Sequence, residues 1–265
     1  MSFFQYKKDD RIYFKSDILD KQNGFVHSFT TKAGGVSHGK ISGFNLGFRV
    51  NDNKESVCEN YRLLANDLGL SLERTVLSKQ THTTNIRIVT EEDCGKGIVR
   101  ESDINDTDGL VTNIPDIALV VFAADCVPIL LCDPTKRVVA AIHAGWRGSI
   151  GKISSKCVEI MKSDFGSDPE NILAAIGPSI GPCCFEFGSA APEYFGEKYC
   201  SQSADGKYTV DLWSYNRDLL KESGLSNENI DVSQICTMCK SDLFYSYRSH
   251  KDATGRQGAV IMLKG

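Results

Sequence analysis

Cys126, Asp125 and His143 are the residues whose types and spacing most clearly offer chemistry. They fall within Ala123 to Gly148, which reads AADCVPILLCDPTKRVVAAIHAGWRG. Two apolar runs, Val127–Cys132 and Val138–Ile142, flank Asp133-Pro134-Thr135-Lys136 and read as a β-hairpin. With Asp133 opposite Lys136, Cys126 falls opposite His143, their Cβ atoms about 4.5–5.5 Å apart on one face. A thiol facing an imidazole is open to three readings. Both residue types pack inside sheets; the imidazole is also able to take the thiol proton and make a nucleophile; or the two are metal ligands whose third partner comes from elsewhere. His82, in Ser78-Lys79-Gln80-Thr81-His82 between two strand signals, is the strongest candidate for that partner, with His27, His38 and His250 as competitors.

The elements that must position these groups are readable in outline. Phe25–Thr30 predicts a strand entering a glycine-punctuated stretch with Gly34-Gly35 at a turn and Asn45 further on. Asp52-Asn-Lys-Glu55 has capping-box spacing and opens a helix with Val57, Tyr61, Leu64 and Leu68 inward, Gly69 as its stop, and Glu59, Asn60 and Arg62 toward solvent. Short strands are expected at Val76–Leu77, Ile86–Val89, after Asp108-Gly109, and at Ile117–Phe122. Beyond His143, Ala-Gly-Trp146-Arg147-Gly148 leads into a helix over roughly 149–165, a junction suited to an anion, with Arg147 adding a charge-assisted bond. Ile172–Ile176 precedes a rigid Gly/Pro loop, Gly177 to Phe187. Asp211 opens another helix, and strand signals return at Ile230–Ile235, Leu243–Tyr247 and Ala259–Leu263. Helices interleaved with strands in this way predict one α/β domain with a mixed sheet.

Composition narrows the function classes. A net charge of −4 over 265 residues gives no electrostatic reason to expect nucleic acid or an anionic membrane as a partner. No apolar run is long enough for a transmembrane helix, and MSFFQYKKDD lacks a signal-peptide core, so a cytoplasmic location is expected. The ten cysteines are then thiols rather than disulfides. Cys58, Cys157 and Cys200 fall in helical patterns and are expected to pack. Cys236-Thr-Met-Cys239 has the spacing of a zinc knuckle or a redox pair. It lacks a second such pair, because the adjacent Cys183-Cys184 is a poor substitute for one.

Assembled, the stretches AGGVS, FNLG, KQTH, TDGLVT, ADCVPILLCDP, AAIHAGWRG, AIGPSIGPCCFEFG and FYSYR…TGR make the chain resemble the YfiH-like, or laccase-domain, family over about residues 20–265. The resemblance implies a single domain across 1–265 with an α/β (α+β) fold: a layered α-β-β-α sandwich with mixed sheets, related to the cytotoxic necrotizing factor toxins. It implies zinc on His82, Cys126 and His143, with copper as the alternative. The implied activity is phosphorolysis of purine nucleosides (adenosine, inosine, guanosine, methylthioadenosine), together with adenosine deamination, in a monomer or weak homodimer. A peptidoglycan-precursor hydrolase and a copper polyphenol oxidase are the alternatives, and a non-enzymatic zinc-stabilised interaction module is a third. Three protein ligands leave a zinc position open for water, the catalytic pattern. Asp125 would move the proton beside Cys126 and His143; Arg62, Arg147 or Arg248 would hold phosphate; Asn45 would orient the nucleoside; Gln80 and Ser179 complete the substrate-binding candidates.

Overall fold

Residues along the central strands alternate between different apolar cores, and this alternation builds the layers. The structure, a computed structural model, describes residues 3–203 and 206–265. Its first strands are β1 (Phe3–Lys8), β2 (Arg11–Ser16), β3 (Phe25–Thr30), β4 (Thr75–Leu77), β5 (Ile86–Ile88), β6 (Gly109–Thr112) and β7 (Ala118–Ala123). They are followed by β8 (Val127–Asp133), β9 (Val138–Ala144), β10 (Leu173–Ile176), β11 (Glu186–Phe187), β12 (Cys200–Gln202), β13 (Tyr208–Val210), β14 (Ile230–Val232) and β15 (Gln257–Leu263). The helices are α1 (Asp17–Asp20), α2 (Lys54–Leu68), α3 (Trp146–Ile150), α4 (Ile153–Phe165), α5 (Ala191–Phe195), α6 (Leu212–Glu222) and α7 (Tyr247–His250).

The strands form two six-stranded sheets, ordered β1-β2-β3-β15-β7-β4 and β14-β10-β8-β9-β6-β5, and a small sheet β11-β13-β12. Both large sheets are mixed, since β4–β7, β5–β6 and β10–β14 pair parallel and their neighbours antiparallel. Val57, Tyr61 and Leu64 of α2 pack on Val120 and Val260 of the first sheet. The other face of that sheet presents Leu119, Val121 and Ile261 to Leu130, Val139 and Ala141 of the second. The far face of the second sheet carries Ile129, Leu131 and Ile142 beneath Ile153, Cys157 and Met161 of α4 and Leu220 of α6. Covered on both faces, β8 and β9 read as unbroken apolar runs rather than alternating ones. The order of layers is α-β-β-α, as the resemblance implies. Among the described residues no helix is long and apolar enough to cross a membrane.

Local details correct the reading of the sequence. In the hairpin Asp133 pairs with Val138, and Pro128 rather than Cys126 stands opposite His143. Arg137 adopts φ 55°, and Asp133 Oδ1 accepts from the N–H groups of Thr135 and Lys136, so the loop is longer than a tight turn. The shift is two residues, which leaves every side chain on its predicted face. The helix expected over 149–165 is two, α3 and α4, separated where Lys152 takes φ 58°. The cap of α2 is Asn53, whose side chain accepts from Ser56 N–H, while Asp52 is drawn into the neighbouring loop. Asn60 is buried, not solvated: it accepts from Val36 N–H and donates to Ser37 and to the carbonyl of Asn45, because the 32–47 loop folds over that side of α2. Residues 243–246 form turns that enter α7, not a strand, and Cys200 begins β12 instead of lying in a helix.

Candidate metal centre and the cleft around it

Asp108 organises the chemistry-bearing cluster. It immediately precedes β6, and its Oδ1 sits 2.7 Å from His143 Nδ1, leaving Nε2 as the ring nitrogen free to bind. The same carboxylate accepts the backbone N–H groups of Thr81, His82 and Thr83 at 3.1, 3.0 and 2.9 Å. These bonds hold His82 at φ 65°, a left-handed conformation costing about 1–3 kcal/mol for a non-glycine residue. His82, Cys126 and His143 then present ligand atoms all within 4.8 Å of one another. The two imidazoles meet edge to face with centroids 4.9 Å apart. Gly145 closes the cluster from below: a Cβ there would lie 2.8 Å from His82 Cδ2 and 3.3 Å from Cys126 Sγ, so no side chain fits.

Electrostatics in the cluster favour a ligand sulfur. Burial pushes the Cys126 thiol up, but His143 and His82 beside it outweigh burial and bring it down to about 6. Burial likewise works against a charged His143, yet Cys126 and Asp108 raise it to about 9. Asp108, despite its burial, is held at about 2 by His143 and the loop N–H groups. At neutral pH this is a thiolate beside a protonated His143. A metal would displace that proton and meet one sulfur and two imidazole nitrogens, one ring oriented by a carboxylate on its second nitrogen, which is the donor set and support of a zinc-type site. His82, Cys126 and His143 therefore fit the implied metal. A bare Cys–His nucleophile pair would not need His82 held in a strained conformation beside it. The other histidines lie apart: His27 is buried in β3 accepting from Ser16 N–H, His38 is exposed, and His250 ends α7.

The cluster forms the floor of a cleft of about 550 Å³. It opens at the end of the inter-sheet layer, where β7, β8 and β9 begin or finish. Its walls carry the aromatic rings of Phe48, Phe122, Trp146, Phe185 and Tyr247 and the cations Arg49, Lys79, Arg147, Arg248 and Arg256, with Asp125 as the one carboxylate residue among them. Arg147 lies 4.1 Å over the Trp146 ring. Among the described residues, Arg49, Lys79 and Arg147 have no acidic partner. Burial lowers Arg49 and Arg256, a cost that an anion in the cleft would offset.

Asp125 is turned by φ 88° away from its neighbour Cys126. Its Oδ1 accepts from Thr237 Oγ1 at 2.6 Å, and its Oδ2 from Ser246 Oγ at 3.0 Å and Arg248 N–H at 2.6 Å. The Arg248 guanidinium donates to the carbonyls of Cys184 and Glu186. Gln80 lines the cleft, but its amide both donates to and accepts from the Phe122 backbone. Three candidates lie outside the cleft lining. Asn45 is buried, accepting from Gly47 and Arg256 N–H and donating to Asp52. Ser179 is buried and accepts from Trp213 Nε1 at 2.7 Å. Arg62 is exposed on α2 and paired with Glu59 at 2.7 Å. Asp108, Lys79 and Arg256 escaped the reading of the sequence as site residues; the Asp-Gly turn before β6 was the only local signal for the first. Cys183 and Cys184 do converge with Cys236 and Cys239, contrary to expectation, because Ser179 and Cys236 form a parallel bridge that brings the two loops together.

Fold and site thus define a class: an α-β-β-α sandwich with a His–Cys–His cluster at one end of its inter-sheet layer. The chain belongs to the family described as multi-copper polyphenol oxidoreductase laccase, whose model matches residues 26–264. It is 36% identical over 247 residues to a Bacillus subtilis protein named purine nucleoside phosphorylase YlmD, covering 90% of this chain and 88% of that one. It is 35% identical to a protein named adenosine deaminase RL5, from an unknown prokaryotic organism, covering 94% of this chain and 98% of that one. The crystal structure of YlmD from Geobacillus stearothermophilus superposes with a TM-score of 0.92 at 33% identity, covering 99% of both chains.

Proposed function

We propose that the protein is a zinc-dependent purine nucleoside phosphorylase that also deaminates adenosine. The observation that carries this reading is the cleft, where aromatic walls and unpaired cations converge on the His82–Cys126–His143 cluster. Flat aromatic faces suit a purine, and a cation-rich pocket whose one acid, Asp125, is already engaged by Thr237, Ser246 and the Arg248 N–H suits phosphate. The names of its relatives point to the same pair of substrates. His82, Cys126 and His143 would hold the metal, which would supply Lewis acidity and an activated water.

The chain's own groups then divide the work. Asp108 fixes the His143 tautomer and the 81–83 backbone. Arg147, Arg49 and Arg256 provide the positive potential for phosphate, and Arg248 joins them as a residue braced by two carbonyls. Asp125 acts as a positioning residue, since both its oxygens are engaged by the loops that carry Arg248 and Thr237. Multicopper oxidation is not favoured: pooling single-electron oxidations needs several histidine-rich centres, and His82 and His143 are the histidines that come together.

The test is incubation of zinc-loaded protein with adenosine, with and without phosphate, followed by chromatography. Adenine and ribose 1-phosphate are expected only with phosphate, and inosine in either case. Zinc-loaded, folded protein that releases neither base nor inosine would overturn the reading and leave the non-enzymatic module in its place.

A further inference from the structure

We propose that Cys183, Cys184, Cys236 and Cys239 form a second metal site, a closed tetrathiolate site for zinc that clamps the 178–187 loop to the 233–246 loop. The four sulfurs all lie within 4.8 Å of one another, with Cys183–Cys239 at 3.5 Å and Cys184–Cys239 at 3.4 Å. A tetrahedral ion with metal–sulfur bonds of about 2.3 Å requires sulfur–sulfur edges of about 3.8 Å, so the thiols already stand close to the ligand tetrahedron. All four are free, and a disulfide would require about 2.05 Å between any two.

A second observation concerns Cys236. Its sulfur accepts the backbone N–H groups of Gly181 at 3.3 Å and of Cys239 at 3.5 Å, one from each loop. Amide donors aimed at a sulfur favour its anionic, ligating form. Packing does not explain the cluster. Cys183 and Cys239 are exposed, yet their sulfurs turn toward each other and not into an apolar core. The adjacent pair Cys183-Cys184 serves one ion because Pro182 to Cys184 form a turn closed by the N–H groups of Cys184 and Phe185 on the Gly181 carbonyl. Ser179 N–H to Ile235 carbonyl and Thr237 N–H to Ser179 carbonyl then set the two loops in register.

Four protein ligands leave no open position, so the site is structural where the first centre is open. It is tied to the cleft all the same. The Cys184 carbonyl receives the Arg248 guanidinium, and Thr237, next to Cys236, donates to Asp125.

The experiment is zinc stoichiometry of full-length protein under reducing conditions, by elemental analysis and native mass spectrometry. Two ions per chain are expected for the unaltered protein, one for His82→Ala/His143→Ala, and one for Cys183→Ser/Cys239→Ser. The histidine variant keeps all four cysteines and answers the question should the cysteine variant fail to fold. Loaded with cobalt, it should show the intense visible bands of tetrahedral thiolate coordination. No metal in the histidine variant after zinc loading, a zinc count unchanged by folded Cys183→Ser/Cys239→Ser, or a disulfide among these cysteines in anaerobically prepared protein would each overturn the proposal.

Discussion

Two buried aspartates stand beside the ligand cluster and do different work. Asp108 accepts from an imidazole and three consecutive backbone N–H groups, and so holds two of the three clustered ligands. Asp125 is adjacent in sequence to the third, Cys126, yet turns away and gathers hydroxyls and an N–H from the Thr237–Arg248 wall. The carboxylate nearest a ligand in the chain is thus not the one that supports the ligands. Proximity in sequence proved a weaker guide than the hydrogen bonds a residue's backbone conformation allows: φ 88° at Asp125 directs its side chain to another loop.

Separating the two carboxylates experimentally would sharpen this contrast. Asp108→Asn should have the largest effect, lowering zinc affinity and both activities by about 10–100-fold, the usual scale for losing a carboxylate behind a ligand histidine. Metal titration and turnover check it, and full zinc retention would mean that the two hubs are not distinct. Asp125→Asn should retain zinc. An amide cannot accept at both oxygen positions, so one donor stays unpaired at about 1–3 kcal/mol, and the KM for phosphate should rise by about tenfold. Loss of zinc in that variant would break the comparison from the other side.

A third buried group, outside both hubs, sets the acid background against which they are read. Burial holds His27 at about 4, and its Nε2 accepts from Ser16 N–H. The unfolded chain binds a proton at His27 near pH 6.5 while the folded chain does not until about 4. Stability is therefore lost as pH falls through that window, by up to about 3 kcal/mol. His27→Gln keeps an acceptor without the titration and should flatten the pH dependence of urea unfolding while leaving neutral-pH activity unchanged. An unaltered slope would reassign the acid sensitivity to other groups.

The sequence made local features legible where one physical rule governed them. The apolar stripe of α2 and its left-handed stop at Gly69 follow from helical periodicity and a glycine cap. The doubly covered strands β8 and β9 announced themselves as apolar runs, and the proximity of Cys126 and His143 survived a register error because a two-residue shift preserves the face. What escaped depended on distant chain. Asn60 sits on what reads as a solvated helix face until the 32–47 loop covers it. Cys184 and Cys239 meet across 55 residues through a loop pairing that no periodicity encodes. Residues 243–246 have strand-like composition, yet Phe244 and Ser246 are buried by turns that deliver Ser246 to Asp125.

The inter-sheet layer has a mechanical consequence. Phe122 and Ala123 reach the cleft from one sheet, and His143 and Cys126 from the other, so the breadth of the cleft is inherited from the spacing of the sheets. Face-to-face sheets stand about 10 Å apart, a distance set by the side chains between them. Here that filling includes the small residues Ala141, Ala175 and Ala259 among larger neighbours. Volume added at those positions acts as a wedge driven in behind the hinge of a pair of jaws. A redesign of substrate size need not alter any residue that touches the substrate.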